Sequence, residues 1–526
     1  MIERVIENWL DSTTEREYQF AFCQVLLSEG FRIHHVSSHG QMEQGKDVIA
    51  TDKHGTHYAY QLKSENIDLS NWRRTIRGEV EELVELPIQH PNIPQAAKFR
   101  PVLVTNGAIT DPVRREITDR QGGWKRNGHT PLELITKWQL LEMFVKAQGT
   151  FLPRTPADFE LFLRILLRDK REPLHKEDFA AFLENLLPLA AEVKRTELRR
   201  TFSATALLAS YALSGPQRAG NNFALSEGWM LVIAHLLRLA EKVRSYEPVW
   251  LPSIELCIQA WEQSVEALVK ESLERKSWVE GNPFVDGDTV NFRTALVLGQ
   301  LAAFALYKRA KNTILDYENE IFSRISKSLN QGRLWGESAV PSYYAVMVLL
   351  WLRGQEGMAV QIAAEIIHLI TKINSGEVAP GFPDPYYGPD ILLRGMFMRE
   401  DIFGPKQGFL GVSYSLRSLV AFLCRRERKQ LLRSLWYDIT AVMSNEFVPD
   451  TISDLYLWRA KTGTLVTSPF GQPEQWQTLV ESSTRKPPLD LLLTKRFPEL
   501  LFPFLLVYPH RFTPDLSGLA EASVTQ

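Results

Sequence analysis

Two periodicities of apolar positions alternate along the first 150 residues. Residues 14–28 carry apolar side chains at helical spacing, and Gly30 follows where a helix would end. Strand-like segments follow at residues 31–36, 47–51, 58–63, 101–105 and 132–135. Helical spacing returns at residues 69–86, from residue 111 and at residues 138–145. The pattern predicts an α/β domain in which a mixed sheet is flanked by helices.

Strand-like alternation nearly disappears after residue 154. Apolar positions recur every three or four residues at residues 158–167, 179–189, 205–213, 230–243, 254–273, 294–307, 343–352 and 359–373. This spacing predicts a large all-α region, and it also suits a helical array, although no fixed repeat length is present.

A stretch rich in proline and glycine divides this helical region. Residues 374–390 contain four prolines and three glycines, which predicts a boundary or a long exposed loop, and helical spacing resumes at residues 410–447. We therefore expect an α/β domain at residues 1–150, a helical domain at residues 151–375 and a helical C-terminal region at residues 376–526.

Composition limits the class of protein. Lysine and arginine total 60 against 62 acidic residues, so nucleic-acid binding would need a local basic patch. The three cysteines lie far apart, which favours a reducing compartment. The N-terminal sequence is acidic where a signal peptide is basic, and the longest apolar run, residues 343–352, is about half of the roughly 20 residues that a membrane span needs. We expect a soluble, cytoplasmic protein.

The window from residue 45 to residue 63 carries the candidate chemistry. Asp47 starts one strand of a predicted hairpin, and Gln61 and Lys63 lie on the returning strand. Because side chains alternate along a strand, Gln61 and Lys63 share one face, which the hairpin folds back toward Asp47. Carboxylate and amide oxygens suit a hard divalent cation, and a neighbouring ammonium can orient water or neutralise charge on a phosphate.

These residues and their order resemble the PD-(D/E)xK nuclease superfamily, and within it the Mrr-like restriction endonucleases. Asp47 matches the metal-binding aspartate, and Gln61 to Lys63 matches the (D/E/Q)xK element in its glutamine form. Residues 26–31, 102–117 and 132–144 match further pieces of such domains in the same order, so the resemblance covers about the first 140 residues.

The resemblance implies a restriction-endonuclease-like fold, Mg²⁺ as cofactor with Mn²⁺ able to substitute, and hydrolysis of DNA phosphodiester bonds. It also implies restriction or anti-phage defence in a prokaryote. In such enzymes the opening helix supplies a further metal ligand. We choose Glu17 for that role, with Glu15 and Gln19 as the alternatives.

Simpler interpretations stand beside these. Asp47 alone could cap a strand, and Lys63 alone could be a solvated strand lysine. Residues 40–47 fall short of a phosphate-binding loop, because that motif needs Ser or Thr after Gly-Lys and a helix downstream. The clustered histidines, His34, His35, His39, His54 and His57, lack the spacing of a zinc site.

Two groups of residues could contact nucleic-acid phosphates. His54 and His57 lie at the predicted hairpin tip. Trp72 with Arg73, Arg74 and Arg77 could form a cationic helix edge. The alternative is an exposed helix face whose charge is balanced by Glu79, Glu81, Glu82 and Glu85.

Breaking a duplex usually needs two such sites, which favours a homodimer or a higher homo-oligomer, with DNA as the substrate. The helical region would then recognise or regulate, or bind a protein partner. Two alternatives remain: a catalytically inactive nuclease fold that binds DNA or protein, and a nuclease that cleaves RNA.

Overall fold

The computed structural model divides the chain into two compact units. It describes residues 2–37, 45–148, 156–168, 170–171, 173–187, 195–275, 287–313, 315–332, 334–374, 384–387, 411–470, 476–485 and 489–525. The first unit comprises Met1–Leu167, Phe182–Gly215 and Val243–Ala260, and the second comprises Arg168–Ala181, Pro216–Lys242 and Trp261–Gln526. This division does not follow the expected boundaries at residues 150 and 375, because two later helical segments join the unit that contains the N-terminal sheet.

A five-stranded mixed sheet forms the centre of the first unit. Its strands are β1 (Arg32–Val36), β2 (Val48–Thr51), β3 (His57–Lys63), β4 (Phe99–Thr105) and β5 (Glu133–Ile135). They lie in that order across the sheet; β1, β2 and β3 are antiparallel, whereas β3, β4 and β5 are parallel. The predicted mixed sheet is confirmed.

Helices flank this sheet, as the pattern predicted. They are α1 (Ile2–Ser12), α2 (Glu15–Glu29), α3 (Leu69–Asn71), a π-helical turn (Trp72–Ile76), α4 (Arg77–Glu85), α5 (Asp111–Arg126) and α6 (Lys137–Gln148). Helix α1 was not predicted, although its buried residues Ile6, Trp9 and Leu10 have helical spacing.

One face of the sheet packs against α4 and α5. Ile49, Ala59 and Leu103 from the three central strands share a core cluster with apolar residues of both helices. Ile49 pairs with Ala59 across the hairpin. Because strand side chains alternate, Asp47, Gln61 and Lys63 project to this same face, beneath α4.

Most of the remaining chain is helical, as predicted. Its helices are α7 (Pro156–Leu167), α8 (Lys176–Leu186), α9 (Arg195–Arg218), α10 (Asn222–Lys242), α11 (Glu247–Glu274), α12 (Gly287–Ala310), α13 (Glu318–Ser328), α14 (Val340–Leu352), α15 (Glu356–Asn374), α16 (Leu416–Arg425), α17 (Lys429–Thr440), α18 (Trp476–Thr484), α19 (Leu492–Lys495), α20 (Leu501–Val507) and α21 (Pro514–Thr525). Helices α12 and α14 pack closely: a Cβ on Gly299 would lie 2.4 Å from the Cβ of Ser342, so only glycine fits there.

The expectation of an all-α region is wrong in one place. A three-stranded sheet is formed by β6 (Val412–Ser413), β7 (Met443–Pro449) and β8 (Gly463–Pro469). The stretch at residues 410–447, which was predicted to be helical, therefore contains β6 and the first part of β7. Its last helix ends at Thr440. Strand β8 is almost wholly exposed, so it lacks the apolar and polar alternation that marks a half-buried strand.

Among the residues that the structure describes, two helices have the length and hydropathy of a membrane span. They cover Asn222–Glu241 and Val290–Ala310, and 89% and 78% of their apolar windows are buried inside the protein. Their apolar character is therefore accounted for by core packing, which is consistent with a soluble protein.

Candidate active site

Asp47 and Gln61 lie side by side at one end of the hairpin. The amide of Asp47 donates to the carbonyl of Tyr60 over 2.8 Å, which continues the antiparallel register by one residue. The Asp47 carboxylate Oδ2 accepts from the amide of Leu62 over 2.7 Å. Both side chains are buried, with 5% of Asp47 and 4% of Gln61 exposed. The sequence motif is therefore assembled in space.

The amide oxygen of Gln61 is the most informative atom of this site. Gln61 Oε1 is buried and has no hydrogen-bond partner among the residues that the structure describes. A buried acceptor without a donor costs about 1–3 kcal/mol, so proteins rarely keep one without a reason. An oxygen in this condition beside a carboxylate is a suitable ligand for a hard cation.

Lys63 lies between carboxylates from two helices. Its Nζ is 2.7 Å from Glu79 Oε2 on α4 and 3.4 Å from Glu15 Oε2 on α2. Burial lowers the pKa of Lys63, but Glu15, Glu79 and Asp47 outweigh burial and the net pKa is raised. Burial also raises the pKa of Glu15, against the opposing effect of Lys63. Lys63 is therefore an ammonium at neutral pH.

The structure favours Glu15 over Glu17 as the helix residue of the site. Glu17 Oε2 accepts from the amide of Thr14 over 2.6 Å, so this carboxylate caps its own helix. Gln19 Nε2 donates to the carbonyls of Ser37 and Asp47 at 3.3 Å, which ties this side chain to the main chain that leads into the site. Glu15 therefore takes the place of Glu17 as our candidate for the further acid of the site.

The donor set fits Mg²⁺ only with water completing the coordination. No group of three or more His, Cys, Asp or Glu side chains converges as a metal site in the described part of the chain. Asp47 and Gln61 offer two oxygen donors on one face, and Glu15 is the acid of α2 that contacts Lys63. Mg²⁺ commonly uses one or two carboxylates and keeps several waters, so these residues suit it.

The hairpin tip lies at the far end of β2 from Asp47. Asp52 Oδ1 accepts from the amides of His54 and Thr56, which shapes the turn and leaves the His54 side chain exposed. His57 Nδ1 contacts Thr51 Oγ1 at 2.8 Å on the sheet itself. His54 can therefore meet a phosphate only away from the candidate site, and His39 lies outside the described residues.

The expected cationic edge at residues 72–77 is largely neutralised. Trp72 is fully buried. Arg73 Nε donates to Glu116 Oε1 over 2.9 Å, and Arg77 Nε lies 3.7 Å from Glu81 Oε1. Arg74 is exposed. The geometry favours the charge-balanced helix face for Arg73 and Arg77, although Glu116 on α5 was not among the expected partners.

Two residues near the site were missed from sequence. Glu79 was assigned only to the balance of surface charge, yet it lies on the helix that covers the site. Asn106 is buried after β4: its Nδ2 donates to the carbonyls of Leu10 at 2.6 Å and Thr13 at 2.9 Å, and its Oδ1 accepts from the amide of Glu65 at 2.7 Å. Neither residue has a local signal in the sequence, because both act through contacts between elements that are distant along the chain.

Comparison of the chain with models of protein families, with curated proteins and with solved structures finds no match.

Proposed function

We propose that the N-terminal α/β domain is a metal-dependent endodeoxyribonuclease of the PD-(D/E)xK type with a restriction-endonuclease-like, Mrr-like fold. One observation carries this proposal: the buried Oε1 of Gln61, which has no hydrogen-bond partner in the described part of the chain, lies beside the Asp47 carboxylate on the face that also carries Lys63. The order of a helix, an antiparallel hairpin and two parallel strands supports it.

Each residue has a separate task in this chemistry. Asp47 and Gln61 would hold Mg²⁺ or Mn²⁺ with Glu15 as the further acid, and the bound ion supplies a Lewis acid for the phosphate and a more acidic water. The Leu62 amide fixes the Asp47 carboxylate. The Lys63 ammonium orients the attacking water and neutralises charge that develops on the phosphate.

Incubation of the purified protein with supercoiled plasmid, phage DNA and RNA tests the proposal. We expect DNA cleavage with Mg²⁺ or Mn²⁺, none with EDTA, and none by Lys63→Ala. Lys98→Ala removes an exposed lysine and is the matched control. Cleavage that persists in Lys63→Ala contradicts the assignment.

The same assay separates the two alternatives. Metal-dependent cleavage of RNA but not DNA would identify an RNA-cleaving nuclease. DNA binding without cleavage of any substrate would identify an inactive nuclease fold that acts as a binding component.

The helical region acts, in this proposal, as a recognition or regulatory module in prokaryotic restriction or anti-phage defence in the cytoplasm. We expect the proline- and glycine-rich stretch at residues 374–390 to form a contact loop. The structure describes only residues 374 and 384–387 of this stretch. Partner binding through this region is part of the proposal.

A further inference from the structure

We propose that Glu79 is a positioning residue that holds the Lys63 ammonium on the face of the sheet that carries Asp47 and Gln61. This inference rests on the proposed nuclease function. Glu79 belongs to α4, the helix that packs on that face.

The two carboxylates that contact Lys63 are not equivalent. Lys63 Nζ lies 2.7 Å from Glu79 Oε2 in a close ion pair, whereas it donates a hydrogen bond to Glu15 Oε2 over the longer distance of 3.4 Å. Glu79 is therefore the closer of the two counter-charges, and it lies on the helix that covers the site.

The position of α4 beside Asp47 is fixed by contacts that do not involve this ion pair. Gly45 has a φ of +68°, and a Cβ on it would lie 2.5 Å from the carbonyl oxygen of Glu79. One residue later, Lys46 Nζ donates to the carbonyl of Glu82 over 3.3 Å. The segment that leads into Asp47 is thus packed against the turn of α4 that contains Glu79.

The ion pair between Lys63 and Glu79 contributes little to the stability of the fold. The Glu79 side chain is 42% exposed although that of Lys63 is only 14% exposed, so solvent screens the pair in part and its contribution to stability is small, about 1 kcal/mol. A lysine side chain carries about 2 kcal/mol of rotamer entropy, so an unanchored ammonium would sample many positions. Without Glu79, the contact that remains to Lys63 Nζ is Glu15, which would draw the ammonium toward the acid assigned to the metal.

Steady-state cleavage of supercoiled plasmid with Mg²⁺ tests the inference in the full-length protein. We expect Glu79→Gln to lower kcat by about 10-fold to 100-fold, because small displacements of a reacting group have effects of this size, with KM for DNA unchanged. Glu79→Asp, which keeps the charge on a shorter side chain, should restore part of kcat. Glu82→Gln removes the same charge from the same helix and should leave both parameters unchanged.

Crystal structures of the wild type and Glu79→Gln give a second readout that needs no activity. We expect Lys63 Nζ within about 3 Å of Glu79 in the wild type and displaced toward Glu15 in the variant. An unmoved Lys63, an unchanged kcat, or equal losses in Glu79→Gln and Glu82→Gln would overturn the inference. If the wild type cleaves nothing, the nuclease proposal fails, and the position of Lys63 in the two crystals still decides the role of Glu79.

Discussion

The carboxylate of Asp47 is tied to the main chain of Leu62, with 2.7 Å between Oδ2 and the amide nitrogen. Leu62 lies between Gln61 and Lys63, so this hydrogen bond fixes the position of the Asp47 carboxylate along β3, next to these two residues. Asp47 therefore has two roles: it offers a charged oxygen to a cation and it satisfies a buried backbone donor.

Asp47→Asn should separate these roles. The amide keeps an acceptor for the Leu62 amide and removes the charge, so we expect cleavage to fall by about 100-fold or more while the melting temperature stays near that of the wild type. Asp47→Ala should also destabilise the domain by about 1–3 kcal/mol, because the Leu62 amide loses its partner. Plasmid cleavage and thermal unfolding measure both effects, and a folded Asp47→Asn protein with wild-type activity would refute the site.

Glu15→Ala and Glu17→Ala form a matched pair on the same helix. Glu15 contacts Lys63, so its loss should lower cleavage by about 10-fold or more with little change in melting temperature. Glu17 caps α2 through the Thr14 amide, so its loss should cost about 1 kcal/mol and leave cleavage almost unchanged. The reverse pattern of activity would restore Glu17 as the helix ligand.

Much of the N-terminal fold is predictable from sequence because its elements are short and strongly patterned. The turn at Gly30, which has a φ of +96°, ends α2 where the sequence places the break. The same reasoning failed at β7, where apolar and polar residues do not alternate, and at β8, which is almost wholly exposed and so lacks the burial that produces alternation. The membership of later helices in the first unit depends on contacts distant in sequence, which no local pattern reports.

The candidate site was predictable only where spacing along one strand fixes it. Gln61 and Lys63 share a face because strand side chains alternate, and Asp47 follows from the hairpin register. The choice between Glu15 and Glu17 depends on how α2 begins, and the capping bond to Thr14 decides it. Glu79 reaches Lys63 only because α4 packs over the hairpin, a tertiary fact that helical spacing alone does not contain.

Asn106 should be a structural residue of the first unit. It joins the end of α1 and the chain after β3 through three hydrogen bonds, of which the two to the carbonyls of Leu10 and Thr13 are buried and the one from the amide of Glu65 is partly buried. Asn106→Ala leaves these groups unpaired, so we expect a destabilisation of about 2 kcal/mol or more. Thermal unfolding and limited proteolysis near α1 measure this loss, with the exposed Asn127→Ala as control. Equal stability of the two variants would contradict it.

Two copies of the chain should act together on a duplex. One site of this kind cuts one strand, so a double-strand break calls for two sites, which a two-fold symmetric dimer supplies. Light scattering with and without a DNA duplex measures the assembly, and we expect a dimer at least on DNA. A monomer in both conditions that makes only double-strand breaks would contradict the prediction, whereas a monomer that nicks DNA would keep the nuclease and remove the dimer.

Glu337 should make the stability of the second unit depend on pH. Its side chain is 1% exposed, and its Oε2 accepts from the amides of Tyr414 at 2.8 Å and Ser415 at 2.7 Å. Burial raises the pKa of Glu337 to about 7, and these hydrogen bonds only partly oppose the effect of burial. The folded state therefore holds a proton on this carboxyl at pH values where the unfolded chain has lost it.

The sign of the effect follows from this difference in bound protons. Between the unfolded pKa near 4.5 and the folded pKa of about 7, the folded state binds more protons, so the contribution of Glu337 to stability falls as pH rises and levels off above pH 7. Glu337→Gln removes this titration while keeping an acceptor for the two amides. We expect its melting temperature relative to the wild type to rise from pH 5 to pH 8, and Glu320→Gln, at an exposed position, to show no such trend. A difference between Glu337→Gln and the wild type that stays constant with pH would show that this carboxyl does not titrate in the folded protein in that range.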